Sequence, residues 1–285
     1  MRRLSLVLLA GLLAVPALAQ HDHGGARPAV GEGRGWTGAP LLLPAGARGQ
    51  REAAQVKAVG IQADSLAVYA PDGPPEALRR DFPVGPEGAR IASGSPKLGN
   101  YHWLVMREET PELVKVASSV WYFGNPGPSP RKLLAESRHE LEIIPEPLPR
   151  EHGSYRESEK WHFLVRLRGT PLAGQALTLE TEFGTRTSFV TDQSGVATIL
   201  FPRDFRPPRD KAGGHARQSA KFVLSTEKIE NERRYLTAFN LTYGPDPERE
   251  RSLAWGAGFC LAGMLAATPL LRRRSAGKTK ESTDA

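Results

Sequence analysis

Short runs in which apolar and polar residues alternate recur from about residue 55 to residue 244. Alternation with a period of two is typical of β-strands that bury one face, and branched and aromatic residues favour strands as well. Turn clusters such as Pro71-Asp72-Gly73-Pro74-Pro75 separate the runs, because proline lacks a backbone donor and interrupts sheet pairing. The pattern predicts these strands: Val56–Gln62, Ser65–Ala70, Asn100–Arg107, Leu113–Phe123, His139–Ile144, His162–Arg168, Ala176–Thr181, Thr187–Thr191, Ala197–Phe201, Ala220–Thr226 and Arg234–Tyr243.

A proline-rich segment, residues 124–138, divides the predicted strands into two groups. Pro126, Pro128 and Pro130 stiffen its beginning and remove backbone donors, which is typical of a linker. We therefore predict an all-β fold with two immunoglobulin-like β-sandwiches, residues 55–123 and 139–244. Residues 20–54 are rich in Gly, Ala and Arg without periodicity, and they are predicted to form a flexible N-terminal arm.

Two apolar segments lie near the ends of the chain. Residues 1–19 have the order of a secretory signal peptide, with two arginines, an apolar run and a small-residue cleavage site. Residues 252–271 are uncharged and mostly apolar, and the arginines of residues 272–274 follow at once. We expect an N-terminal signal helix, one C-terminal transmembrane helix and a cytoplasmic basic tail at residues 272–285, with the main body periplasmic. The alternative for residues 252–271 is a buried core helix.

The distribution of charge argues against a nucleic-acid surface. Of the formal net charge of +7, residues 1–19 carry +2 and residues 272–285 carry +3, which leaves +2 for the exported part. We therefore expect the membrane as a partner and no nucleic acid. Small residues repeat every four positions in the predicted transmembrane helix, at Ala254, Gly258, Ala262 and Ala266. This stripe suits either a partner helix, as in a homodimer, or an ordinary single anchor.

Part of the second strand group resembles known periplasmic repeats. The residues are Gly169-Thr170-Pro171-Leu172-Ala173-Gly174, the turn Thr191–Gly195 and the strand ending at Phe201-Pro202. They resemble carboxypeptidase-regulatory-like modules. The stretch from about Leu98 to Arg274 also resembles a family of periplasmic nickel- or cobalt-uptake accessory proteins. This resemblance implies an extracytoplasmic protein of two sandwiches that assists a metal-transporter membrane subunit, although the shared residues shape turns and hairpins and carry no chemistry.

Three histidines are the candidate metal ligands. Cleavage after Ala19 would leave His21 and His23 near a free α-amine, and amine, amide and imidazole nitrogens bind Ni²⁺ or Cu²⁺ in a square plane. His215 follows two glycines in a loop, where exposure permits ligation. The alternative for all three is that they are solvated residues of polar segments with no ligand role. Ni²⁺, Co²⁺ and Cu²⁺ are the candidate ions.

Catalytic motifs are not evident in the sequence. Ser154, Ser158 and Ser194 lack a nucleophile elbow, the single cysteine, Cys260, lies in the predicted transmembrane helix, and no histidine pair has metalloprotease spacing. We predict a protein that is not an enzyme and has no catalytic residues. The main hypothesis is a membrane-anchored accessory protein for uptake of Ni²⁺, Co²⁺ or Cu²⁺. The alternative is a non-catalytic envelope module that binds a protein or a glycan.

Overall fold

The computed structural model describes residues 35–46, 53–94, 98–124, 126–150, 153–205, 219–248 and 253–276. The strands are β1 (Leu41–Ala45), β2 (Ala53–Val59), β3 (Ser65–Tyr69), β4 (Arg79–Pro83), β5 (Ala89–Ala92), β6 (Tyr101–Glu109), β7 (Leu113–Tyr122), β8 (Leu141–Glu146), β9 (Tyr155–Arg156), β10 (Lys160–Leu167), β11 (Thr170–Pro171), β12 (Ala176–Thr181), β13 (Arg186–Val190), β14 (Val196–Leu200), β15 (Ala220–Glu230) and β16 (Arg233–Gly244). The helices are α1 (Pro75–Leu78), α2 (Arg131–Ala135) and α3 (Leu253–Ala276). The prediction of a mostly β protein is confirmed.

A nine-stranded central sheet organises the fold. Eight of its strands follow the order β13-β12-β15-β16-β7-β6-β3-β4, and β9 pairs with β16 outside this path. The pairing is antiparallel except for the parallel pairs that β16 makes with β7 and β9. Two smaller sheets accompany it. We call β1, β2 and β5 the N-terminal sheet, and β8, β10, β11 and β14 the C-terminal sheet.

The two smaller sheets pack on opposite faces of the central sheet. Side chains alternate along each strand, so Leu104 and Met106 of β6 join the core beneath the N-terminal sheet. Trp103 and Val105 of the same strand join the core beneath the C-terminal sheet. One strand thus serves two cores, and the architecture is a set of three layers.

Aromatic side chains dominate the core between the central and C-terminal sheets. Phe222 packs edge to face on both Tyr155 and Phe201, with ring centroids 5.3 and 4.8 Å apart. Burial of a side chain of this size contributes roughly 1.5–3 kcal/mol relative to exposure. The fully buried aromatic residues of this core are Trp103, Tyr155, Phe163, Phe201, Phe222, Phe239 and Tyr243.

The structure differs from the predicted separation at residues 124–138. Strand β7, before this segment, pairs in parallel with β16, from Leu113 opposite Arg234 to Ser118 opposite Phe239. Strands from both predicted domains, 55–123 and 139–244, therefore share one continuous sheet. Pairing satisfies the backbone groups that two separate sheet edges would leave exposed. The segment itself contains α2, whose Leu133 is buried in the core under the C-terminal sheet.

The prediction of a flexible arm at residues 20–54 is corrected for residues 41–45. Residues 41–45 form β1, which pairs with β2. Leu41 and Leu42 are buried, and the side-chain amide of Asn240 bonds both backbone groups of Leu42, at 2.8 Å to its N–H and 2.7 Å to its carbonyl. The apolar run at residues 41–45 lacks a clear alternation. It is a strand nevertheless, because its contacts with β16 satisfy its backbone groups.

Helix α3 extends beyond the predicted transmembrane segment, 252–271, into the following arginines. None of the helices in the described ranges combines the length and the apolarity needed to cross a membrane. The transmembrane helix is therefore not confirmed. Among the described side chains of α3, the exposed large apolar ones are Phe259, Leu261, Met264 and Leu265. The predicted signal peptide, residues 1–19, lies outside the described residues.

Candidate functional site

An open groove lies on the central sheet where the C-terminal sheet does not cover it. The floor comes from β3, β4 and β6, and the walls come from the connection between α2 and β8 and from the turn after β10. The volume of the groove is about 1020 Å³. The residues that line it are Gln62, Ala63, Asp64, Ser65, Ala67, Tyr69, Arg79, Asp81, Val105, Arg107, Glu108, Glu109, Ser137, Arg138, His139, Glu140 and Arg168.

The alternation of β3 creates the floor. Leu66 and Val68 point into the core beneath the N-terminal sheet, so Ala67 and Tyr69 face the groove. Ala67 stands opposite Val105 of β6 on one side and Asp81 of β4 on the other. The middle of the floor therefore carries only a methyl group, with longer polar side chains around it.

A buried ion pair holds the wall formed by residues 137–140. Glu142 of β8 and Arg166 of β10 are opposite in register, and both side chains are at most 5% exposed. Their Nε to Oε2 distance is 2.7 Å. Arg166 also donates to the carbonyls of Ala135 and Glu136, while Glu142 accepts from the Ser137 hydroxyl at 2.9 Å and the Arg138 backbone at 3.0 Å. Since each charge is saturated with partners, the pair fixes the end of α2 against the C-terminal sheet.

Charged side chains of both signs line the groove, and each of its four arginines has an acidic partner. Arg107 bonds Glu109 and, at 2.8 Å, Glu140. Arg79 lies 3.2 Å from Asp81, and Arg138 lies 3.1 Å from Glu136. Arg168 pairs with Glu230. The guanidinium groups are therefore held in place and locally neutralised.

The acidic side chains are also mostly engaged. The Gln62 backbone and Lys115, 3.1 Å away, lower the pKa of Glu108, and bonds from Arg233 and Arg107 lower the pKa of Glu109. Both groups are thus ionised at neutral pH. In the part of the chain that the structure describes, Asp64 has no ion-pair partner, so its carboxylate is free to accept hydrogen bonds from a ligand.

Two side chains in the wall retain unused hydrogen-bonding atoms. The Arg138 side chain is only 4% exposed and lies over the Tyr69 ring, 4.8 Å from its centroid. Within the described ranges, its Nε and the Nε2 of His139 have no hydrogen-bond partner. Burial lowers the pKa of His139 to about 4, so this imidazole is neutral at pH 7. A buried polar atom without a partner costs about 1–3 kcal/mol, so these two atoms lower the stability of the wall.

The histidines predicted as metal ligands, His21, His23 and His215, lie outside the described residues, so this site stays a prediction. The structure places His102 in β6, where it is buried beside Phe123, and it places His162 on the exposed side of β10. Across the described ranges, no cluster of three or more His, Cys, Asp or Glu side chains is suited to hold a metal ion.

The sequence did contain a signal for the wall of the groove. Glu142 interrupts the apolar run Leu141–Ile144, and Arg166 interrupts the apolar run Phe163–Leu167. A charge at a core position of a strand needs a partner of opposite charge, and two such strands could pair. The floor carried no comparable signal, because Ala67 and Arg107 read as ordinary strand residues.

Comparisons with known proteins give no family for this chain. No known protein family and no curated protein matches the sequence. Similar solved structures include a 1.5-MDa bacterial ice-binding adhesin, at 10% identity and a TM-score of 0.24 over 73% of this chain. The D0-D1 domain of intimin aligns at 12% identity and a TM-score of 0.24, covering 72% of this chain and 97% of that one.

A Ca²⁺-stabilised, ice-binding adhesin of an Antarctic bacterium is a further similar structure, at 9% identity and a TM-score of 0.23 over 73% of this chain. The chain spans 64% of the length of the first adhesin chain and 49% of the second. At TM-scores this low, the similarities carry no argument about function.

Proposed function

We propose that this protein is a non-catalytic interaction module of the cell envelope, and that the groove on β3, β4 and β6 is its binding site. The observation that carries the proposal is the uncovered sheet face with its fixed polar side chains. Pre-organised donors and acceptors in a concave site are what recognition of a polar ligand requires. Ion pairs keep Arg79 and Arg107 in place before any ligand arrives.

The titratable groups of the groove favour binding over catalysis. The neutral His139 is shielded within the wall, and the ionised Glu109 is bonded to two arginines. A general acid or base must reach a substrate proton, which neither group does here. The metal-uptake hypothesis, with the ligands predicted outside the described residues, has no support from the groove and stays a prediction.

The proposal is tested by measuring binding of the labelled full chain to isolated cell envelopes of the source organism. An Ala67→Trp variant places an indole in the middle of the floor, and the expected result is a loss of saturable binding by at least about tenfold. Ala176→Trp is the control, because Ala176 is an exposed alanine on another strand of the same sheet, β12, outside the groove.

The two variants separate a groove effect from a general effect of an added tryptophan. Equal binding by wild type, Ala67→Trp and Ala176→Trp would show that the groove is not the site. Absence of saturable binding by the wild-type chain would overturn the proposal altogether. Circular dichroism and urea unfolding of each variant establish that the sheet is intact.

A further inference from the structure

We infer that the ligand of the groove is a neutral carbohydrate chain. This inference rests on the proposed function and deepens it, because it names the chemical class of the partner. It follows from three properties of the lining: the pairing of its charges, the mixture of fixed donors and acceptors, and the small residue at the centre of the floor.

Charge pairing disfavours an ionic ligand. An anionic group must compete with Glu109 and Glu140 for Arg107, and with Asp81 for Arg79. A cationic group must likewise compete with Lys115 for Glu108 and with Arg233 for Glu109. Breaking such a pair gives back part of the new attraction, so an acidic ligand gains less at Arg107 than it would at an unpaired arginine.

A hydroxyl group can bind in the groove without breaking any of these ion pairs. Each hydroxyl both donates and accepts, and neighbouring hydroxyls of a sugar can accept from a guanidinium while they donate to a carboxylate. Arg107 and Glu140, joined at 2.8 Å, present these two functions side by side. Asp64 supplies a further acceptor at the end of β3 that no described side chain uses.

The shape of the floor suits a ring lying flat on it. Ala67 stands opposite Val105 in register, so the middle of the floor is low and carries a methyl group while its margins are charged. The C–H face of a sugar ring packs on such a surface, and its hydroxyls extend towards the margins.

Calorimetric titration of the full chain with cello-, malto- and chito-oligosaccharides tests the inference. At least one neutral series should bind, and Ala67→Trp should weaken it at least about tenfold while Ala176→Trp leaves it unchanged. Asp64→Asn, which removes a charged acceptor at an exposed position, should weaken binding about fivefold. Raising NaCl from 50 to 500 mM should change the affinity by less than about twofold, because no ion pair with the ligand is screened.

Uronic-acid oligosaccharides and charged peptides complete the titrations. Tighter binding of either, with a steep salt dependence, would overturn the inference and identify an ionic ligand. Absence of binding by every neutral oligosaccharide, combined with envelope binding that Ala67→Trp abolishes, would also overturn it but would leave the proposed function standing. Failure of envelope binding in the wild type would remove both.

Discussion

The two ends of the central sheet have the same backbone but opposite surfaces. At the end formed by β12, β15 and β16, the C-terminal sheet covers the face, and the positions beneath it are Phe222, Leu224 and Phe239. At the end formed by β3, β4 and the last residues of β6, the same face is open, and Ala67, Arg79 and Arg107 occupy it. The sheet that packs on a strand, rather than the strand itself, therefore decides whether the residues of the strand belong to a core or to a binding surface.

Two charged side chains are buried at the boundary between the two ends of the central sheet. The Arg166–Glu142 pair lies at the edge of the C-terminal sheet and fixes the wall that faces the open end. This arrangement lets a rigid, aromatic core position the side chains of an exposed groove. Four sets of variants test the comparison, in order of decreasing effect.

The largest loss of stability is expected at the covered end. Phe163→Ala removes a fully buried ring that lies 5.7 Å from Tyr155 and should lower the free energy of unfolding by about 4 kcal/mol. Phe82→Ala, on the edge strand β4, removes a half-buried ring at the margin of the core beneath the N-terminal sheet and should lower it by about 2 kcal/mol. Urea denaturation measures both, and equal losses would contradict the contrast between the ends.

The second effect concerns the buried ion pair between Glu142 and Arg166. Glu142→Gln leaves the Arg166 guanidinium buried without its counter-charge and should lower the free energy of unfolding by about 3 kcal/mol. Amide exchange should also accelerate in residues 135–138, because the pair anchors this segment. Replacing both partners, with Glu142→Leu and Arg166→Met, should recover part of the stability. A single substitution without effect would show that the pair does not fix the wall.

The third effect is a dependence on pH at a buried position. Burial lowers the pKa of His102 from 6.5 to about 4. Above pH 6.5 neither state holds the proton, but between pH 6.5 and 4 only the unfolded state binds it, so stability falls as the pH falls. At pH 4.5 the expected loss from this group is about 2 kcal/mol.

His102→Phe keeps an aromatic ring against Phe123 and removes the titration. The difference in unfolding free energy between pH 7 and pH 4.5 should therefore be about 2 kcal/mol smaller than in the wild type. Urea denaturation at the two pH values provides the comparison. An unchanged difference would mean that His102 is not the buried neutral group described here.

The smallest effect is expected in the open groove itself. Arg79→Ala removes a half-exposed pair with Asp81 and should lower the free energy of unfolding by only about 0.5 kcal/mol. Its effect on ligand binding should be larger than its effect on folding. A loss of stability above about 1.5 kcal/mol would indicate that the groove charges serve the fold and not a ligand.

Much of the fold was predictable because the strands alternate. The predicted strands at Leu113–Phe123 and Ala176–Thr181 agree with β7 and β12 within a residue at each end. Strands β1, β4 and β5 were missed, because Leu41–Ala45 does not alternate and Arg79–Pro83 is mostly polar. The two-residue strands β9 and β11 were missed as well. These strands are stabilised by residues that are distant in the sequence, and a local pattern does not reveal such contacts.

The groove was not predictable for the same reason. Its floor combines Ala67 with Asp81 and Val105, residues that only the pairing of β3 with β4 and β6 brings together. The parallel pairing of β7 with β16 was hidden as well, since a segment with three prolines suggested a boundary. Charges at Glu142 and Arg166 were the one local sign that the chain builds more than a core.

Hydrogen–deuterium exchange of the full chain, with and without a saturating neutral oligosaccharide, tests the central claim most directly. The account predicts slower exchange in residues 65–69, 105–109 and 137–140, and unchanged exchange in residues 186–190 of the distant strand β13. Protection confined to β13, or no protection at all, would contradict the assignment of the uncovered sheet face as the binding surface.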